Sequence, residues 1–208
     1  MKIAVINEVS ACAKNAEIVA ALESLGHEVL NLGMKEPDQQ PSLSYINTGL
    51  MSALALELGI ADMVVGGCGT GQGYLNSVMQ YPGVVCGLIT EPLDAWLFTR
   101  INDGNCISLA LNKGYGWAGN VNLKLVFSEL FPAEKEEGYP PERVQPQKES
   151  RQLLNEISRK VHRPLEEILL SLDESVTAPV FGSQEFKKSL KTAEQSKLLK
   201  IIEEKFLI

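Results

Sequence analysis

The stretch Asp62–Gln80, DMVVGGCGTGQGYLNSVMQ, decides the architecture. A short β-branched run, Asp62–Gly66, leads into five glycines within the eight residues Gly66–Gly73, and helical spacing follows at Tyr74–Gln80. A strand joined to a helix by a short loop is the building block of a parallel βαβ sheet. Glycines at this density cost backbone entropy, and they make sense where main-chain N–H groups converge on an anion at a helix N-terminus. Ligands of open parallel sheets bind at the carboxyl ends of strands. The loop is therefore both a fold marker and the first candidate site, with a plain tight turn as the alternative. Neither nucleotide fingerprint fits: Gly67, Gly69, Gly71 and Gly73 alternate, no Lys follows, and the loop sits on the third strand.

Outward from this unit the same pattern repeats. Ile3–Asn7, Glu28–Leu32, Val84–Ile89 and Asn105–Ala110 read as further strands. Asn15–Leu25, Ser44–Leu58, Leu93–Arg100 and Ala118–Phe131 carry apolar residues at spacings of three and four, as helices do. Gly26 and Gly59 fit helix C-terminal caps. The expected fold is a three-layer Rossmann-like α/β domain with a parallel sheet of about five strands, spanning residues 1–149. Its last part, 131–149, has four prolines and dense charge and reads as an extended arm. Residues 150–208 form a C-terminal helical extension, with helical stretches at Arg151–Leu172 and Ser183–Phe206 on either side of a break at Thr177–Gly182.

The 208 residues are 45% hydrophobic and 22% charged, as in ordinary globular chains, and the net charge is −7. Residues 1–149 carry −8 and residues 150–208 carry +1. With no basic run, neither a nucleic-acid nor a membrane partner is expected. An acidic core needs local cations if it is to hold an anionic substrate. The N-terminus lacks a signal-peptide pattern, and no apolar run approaches about 18 residues, so a cytoplasmic location with free thiols is expected. Cys12, Cys68, Cys86 and Cys106 lie far apart, and there are two histidines, so no metal site is expected.

Within the glycine loop, Cys68 lies beside N–H donors that favour its thiolate, which suits a base or a nucleophile. Cys86 and Cys106 fall in expected buried strands and read as packing. Cys12, just after the first strand, competes with Cys68 for the role. Asn7-Glu8-Val9-Ser10 follows the first strand, and Asn102-Asp103-Gly104-Asn105 precedes the fifth, where an Asx turn is the simpler reading.

At these residues the chain resembles the ribose-5-phosphate isomerase B / galactose-6-phosphate isomerase family, over residues 1 to about 149. The resemblance rests on MKIAV, on GHEVLNLG at Gly26–Gly33, on Cys-Gly-Thr-Gly-x-Gly at Cys68–Gly73, on Pro82-Gly83-Val84, on Thr90-Glu91-Pro92 and on Asn102–Asn105. It implies an aldose–ketose isomerisation of a sugar or sugar phosphate through an enediolate, without metal or cofactor. Cys68 would be the base, and Thr70 would help to move a proton between the sugar oxygens. The N–H groups of Gly69, Thr70, Gly71 and Gly73 would stabilise the enediolate.

The resemblance also carries departures. Where the family has Asp-His after the first strand, this chain has Glu8-Val9. The carboxylate is kept and, with Ser10, can meet sugar hydroxyls, but Val9 has no donor for a phosphate. The family's ring-opening His before Asn102 is Ile101 here. Of two arm arginines, the first position is Tyr139 and the second is Arg143. A different or an unphosphorylated sugar fits these changes. A homodimer or homotetramer is implied, in which Asn102 and the Tyr139–Arg143 arm meet a neighbour's Cys68 loop. A non-catalytic or partner-dependent sugar-binding subunit is the alternative within the family, and a flavodoxin-like nucleotide-binding module the one outside it. The apolar stripes Leu153, Leu154, Ile157, Val161 and Leu198, Leu199, Ile202, Phe206 need a surface to cover, on the core or on a partner.

Overall fold

A computed structural model describes residues 1–134 and 136–207. Lys135 of the arm and Ile208 of the extension lie outside the described residues. The strands β1 (Lys2–Asn7), β2 (Glu28–Asn31), β3 (Met63–Cys68), β4 (Cys86–Ile89) and β5 (Cys106–Ala110) form one sheet in the order β2-β1-β3-β5-β4. Every pairing is parallel. The Ile3–Ile6 run is fully buried, as a parallel strand covered on both faces must be.

Two cores flank the sheet. On one face Ile3, Val5, Met63, Val65, Ile107 and Leu109 pack with α1 (Asn15–Glu23), α4 (Pro92–Leu97) and α5 (Gly119–Leu130). On the other, Ala4, Ile6, Val64, Cys68 and Cys106 pack with α2 (Tyr45–Glu57) and α3 (Gln72–Val78). A 3₁₀ turn, Val9–Lys14, links β1 to α1, and a π-helical turn, Phe98–Asn102, continues α4.

The extension folds differently from its sequence reading. Helix α6 (Val144–Val161) starts inside the stretch read as an extended arm, because Pro146 falls in the first helical turn, where a missing N–H is harmless. It is followed by α7 (Leu165–Ser171), α8 (Glu174–Gly182), α9 (Gln184–Ser189) and α10 (Lys197–Lys205). Helix α8 occupies the expected break despite Pro179. Asn47 Nδ2 of α2 donates to the Val176 carbonyl at 3.0 Å, and Val180 and Phe181 join the α2–α3 core, so packing overrides the proline. Leu198, Leu199 and Ile202 are buried in that core with Phe206 packed against it. The other stripe stays open: Leu153, Leu154, Ile157 and Val161 on α6 are all exposed.

Candidate active site

The successive connections from β1 and β3 leave in opposite directions along the sheet, which opens a crevice at their carboxyl ends. Two of the chain's candidate segments, Asn7–Ser10 and the glycine loop, meet there. The loop read as Gly66–Gly73 is shorter in the structure, since Gly66 and Gly67 are strand residues. Gly67 is required by close packing: a Cβ there would lie 2.4 Å from the Leu109 carbonyl oxygen of the neighbouring strand. Cys68 ends β3, 5% exposed. The chain then turns through Gly71, whose φ of +75° suits glycine, into α3.

Neighbouring strands hold this turn. The Leu111 N–H donates to the Cys68 carbonyl and the Asn112 N–H to the Gly69 carbonyl, each at 3.0 Å, and the Ser108 hydroxyl donates to the Gly71 carbonyl at 2.6 Å. Cys68 Sγ lies 3.9 Å from Thr70 Oγ1, which accepts the Gln72 N–H at 3.4 Å. The N–H groups of Gly69 and Gly71 are already engaged, the first by Ser10 Oγ at 3.2 Å and the second by the Cys68 carbonyl at 3.3 Å. Gly73 sits in the first turn of α3 against the Tyr45 ring.

Glu8 follows β1, is 4% exposed, and accepts the Ser10 hydroxyl. Asn112 Nδ2 donates to the Ser10 carbonyl at 3.1 Å. Glu8, Ser10, Cys68, Gly69, Thr70 and Asn112 thus form one network across three strand ends. Sequence reasoning missed Asn112, although its place just after β5 obeys the rule that singled out Cys68. Asn7, named in the constellation after β1, has a buried side-chain amide with no hydrogen-bond partner among the described residues.

The other thiols lie outside this network. Burial is the main cause that pushes the Cys12 thiol up, with Glu36 and Glu8 adding repulsion, so Cys12 is a poor thiolate. A hydrogen bond to Cys106 and burial push Cys86 up. Cys106 Sγ lies 3.5 Å from the Tyr74 hydroxyl inside the core. Both read as packing, as expected.

The remaining candidates lie elsewhere in the chain. Asn102 is exposed at the amino end of β5, and β5 separates that end from the Cys68 level by about 13 Å, four residues at roughly 3.3 Å each. Tyr139 packs edge-on against Trp96 with ring centroids 5.0 Å apart, and Arg143 is exposed at the end of the 3₁₀ turn Pro141–Arg143. The chain does not bring Asn102, Tyr139 and Arg143 to Cys68. Among the described residues no cluster of three His, Cys, Asp or Glu side chains is placed to hold a metal, and no helix is long and apolar enough to cross a membrane.

Polar side chains and glycines gathered at the switch point of a parallel sheet place the chain among the α/β proteins that bind small molecules at strand carboxyl ends. A family model described as Ribose/Galactose Isomerase matches residues 3–145, and the chain belongs to that family. Among solved structures it is similar to a ribose-5-phosphate isomerase from Vibrio parahaemolyticus, at 40% identity over 98% of both chains with a TM-score of 0.92. It is also similar to a 4-deoxy-L-threo-5-hexosulose-uronate ketol-isomerase crystallised with a tartrate, at 36% identity over 100% and 99% of the two chains with a TM-score of 0.93. Ribose-5-phosphate isomerase B from Clostridium thermocellum is 25% identical with a TM-score of 0.61; its whole length is covered by 78% of this chain. No curated protein sequence matches. The first two neighbours share the full length of this chain, extension included, and the third does not.

Proposed function

We propose that the protein is an aldose–ketose isomerase with Cys68 as its base, acting on an open-chain sugar that ends in a carboxylate. The observation that carries this reading is Cys68 at the switch point, 3.9 Å from the Thr70 hydroxyl and beside the Glu8–Ser10–Asn112 network. Isomerisation needs a base for a carbon-bound proton and fixed donors for the oxyanion that follows. The Cys68 thiolate removes the proton from C2, the C–H electron pair becomes the C1=C2 bond, and the carbonyl electron pair moves onto O1. The N–H groups of Thr70 and Gly73 meet that charge, while those of Gly69 and Gly71 join by exchanging their present partners. The thiol then returns the proton to C1, and the Thr70 hydroxyl relays the O2 proton to O1. Glu8, Ser10 and Asn112 hold sugar hydroxyls. The route as written uses no metal or cofactor.

Asn102, Tyr139 and Arg143 complete the site from a second copy of the chain, so the enzyme is a homo-oligomer with shared sites. The open apolar face of α6, continuous with the arm, supports this arrangement. A single arm arginine with Val9 and Tyr139 alongside suits a carboxylate, which one guanidinium grips in two parallel hydrogen bonds. The substrate named for the 36%-identical neighbour adds a chemical argument. A 4-deoxy-5-ketouronate has no hydroxyl at C4 or C5, so it cannot close a furanose or pyranose ring on C1. An enzyme for such a sugar needs no ring-opening acid, and Ile101 stands where the family has one. Ile101 also fits a partner-dependent subunit, which turnover by the purified chain alone would exclude.

The test is turnover of the deoxyhexosulose uronate, ribose 5-phosphate and galactose 6-phosphate by the purified protein in deuterated water. Deuterium exchange at C1 and C2 of the uronate is expected, with kcat reduced about 10²–10⁴-fold in Cys68→Ala. A preference for either phosphate overturns the substrate class, and full exchange by Cys68→Ala overturns the base. At substrate well below the wild-type KM, where Arg143→Ala turns over slowly, mixing it with inactive Cys68→Ala should restore about a quarter of wild-type activity if sites are shared across a dimer. No recovery on mixing excludes sharing.

A further inference from the structure

Arg100 is the chain's most buried cationic side chain among the described residues, 8% exposed, and it lies outside the Cys68 network. It occupies the π-helical turn Phe98–Asn102, two residues before Asn102. A single π turn places one extra residue in the helix and often marks a functional segment. The Arg100 guanidinium carbon sits 4.1 Å from the centroid of the Trp96 ring, and Nη1 donates to the Trp96 carbonyl at 3.5 Å. Nε reaches Glu136 Oε2 at 3.4 Å, and the Arg100 carbonyl accepts the Gly138 N–H at 2.9 Å. Trp96 in turn meets the Tyr139 ring edge-on.

The arm is held from its other side as well. Gln147 of α6 brackets Tyr139, accepting its N–H at 3.0 Å and donating to its carbonyl at 2.6 Å. Arg151 Nη1 donates to the Ile101 carbonyl at 2.9 Å, tying α6 to the same π turn. Asn102 and the segment carrying Tyr139 and Arg143 are therefore one unit, with Arg100 at its centre. Burying a cation is unfavourable unless it is fully engaged. Here the flat guanidinium uses its face on Trp96 and its edge on Glu136 and a carbonyl, an arrangement a lysine cannot copy.

We infer that Arg100 is a positioning residue for substrate binding: it fixes the angle at which Tyr139, Arg143 and Asn102 are presented to the neighbouring copy's Cys68 crevice. This rests on the shared-site reading above. Arg100 touches neither the substrate nor Cys68, so its loss acts on capture of the substrate's terminal anion and not on proton transfer. Glu136 is largely exposed, which makes the Trp96 ring and the Trp96 carbonyl the main anchors of the guanidinium.

The experiment compares wild type, Arg100→Lys and Arg100→Ala on two probes, the deoxyhexosulose uronate and its methyl ester, with hydrogen exchange of the arm followed in parallel. For the uronate, KM should rise about tenfold in both variants with kcat changed less than about threefold, the pattern of lost uniform binding. For the neutral ester kcat/KM should fall clearly less than for the uronate, because Arg143 has no charge to meet there and only the Asn102 and Tyr139 contacts are lost. Protection of the Gly138 and Tyr139 amides should fall in Arg100→Ala. Equal losses on both probes would point to a general structural role and overturn the inference, as would unchanged KM on the uronate. Unchanged arm protection overturns it whatever the turnover. Full activity in Cys68→Ala would sink the reading of the chemistry while leaving the arm measurements to judge Arg100 on their own.

Discussion

The two ends of the sheet are built on opposite principles. At the carboxyl end the polar groups that would do chemistry are buried or bonded into the fold: Glu8 and Cys68 are almost inaccessible, and the Cys68 turn hangs on bonds from Leu111, Asn112 and Ser108. At the amino end, Asn102, Tyr139 and Arg143 project into solvent on an arm that a cation–aromatic clamp holds. Chemistry needs fixed donors around a dry base, which one folded chain can supply. A binding element shared between copies must stay outside its own core. Substitutions in the Cys68 turn should therefore cost stability and activity together, and those at Asn102, Tyr139 and Arg143 should cost activity alone.

The largest expected effect tests that contrast directly. Gly67→Ala forces a methyl group to 2.4 Å from the Leu109 carbonyl, and because both atoms are backbone-anchored the β3–β5 pairing has to shift. A loss of about 1–3 kcal/mol in urea unfolding is expected, the usual range for overpacking, together with a fall in kcat as Cys68 moves. Arg143→Ala is the counterpart: stability within about 0.5 kcal/mol of wild type, as for exposed positions, with a raised KM. If Gly67→Ala unfolds at the wild-type urea midpoint, or Arg143→Ala destabilises the chain, the contrast between the ends is wrong.

Much of the first end is legible in the sequence because it is local. The Ile3–Ile6 run, the strand–glycine–helix unit and Cys68 itself are contiguous. The misreadings share a physical cause, that their explanation lies in residues distant along the chain. Gly67 reads as loop because glycine is common there; it is strand because the Leu109 backbone fills the space of its missing side chain. Helix α8 survives Pro179 through contacts to α2, more than a hundred residues earlier. Asn112 acts on Ser10 across a comparable separation. The π turn was hidden because a 3.6-residue period runs smoothly into it, and the Arg100 contacts pair residues up to 38 positions apart.

A middle-sized effect sharpens the account of the core beneath Cys68. The Tyr74 hydroxyl lies 2.6 Å from Ser52 Oγ and 3.5 Å from Cys106 Sγ, and burial, reinforced by the two thiols, pushes its phenol well up, so it stays neutral. Ser52 donates to the Thr48 carbonyl at 2.6 Å and keeps that bond when Tyr74 is changed. Tyr74→Phe leaves no orphaned donor, so a loss of about 0.5–1.5 kcal/mol is expected, that of one neutral hydrogen bond. Turnover should be unchanged. A cost above that range would show that the hydroxyl also supports the Cys68 turn.

The smallest effect belongs to the amino end and is a pH dependence. The His27 ring packs edge-on to Phe131 at 4.7 Å, and its Nε2 is buried without a partner among the described residues. Burial, with a smaller contribution from the N-terminal amine, lowers its pKa below the usual 6.5. The folded state therefore binds this proton less readily than the unfolded chain does. Stability from His27 is complete above the unfolded value near 6.5 and declines as pH falls through the lowered folded value. Melting temperatures measured from pH 7.5 to 5 should fall less steeply in His27→Gln than in wild type, while their ratio of kcat stays constant, because the Cys68 turn lies at the other end of the sheet. Parallel melting curves would show that His27 is solvated in both states. A changing activity ratio would show that the two ends are coupled and that the separation between them fails.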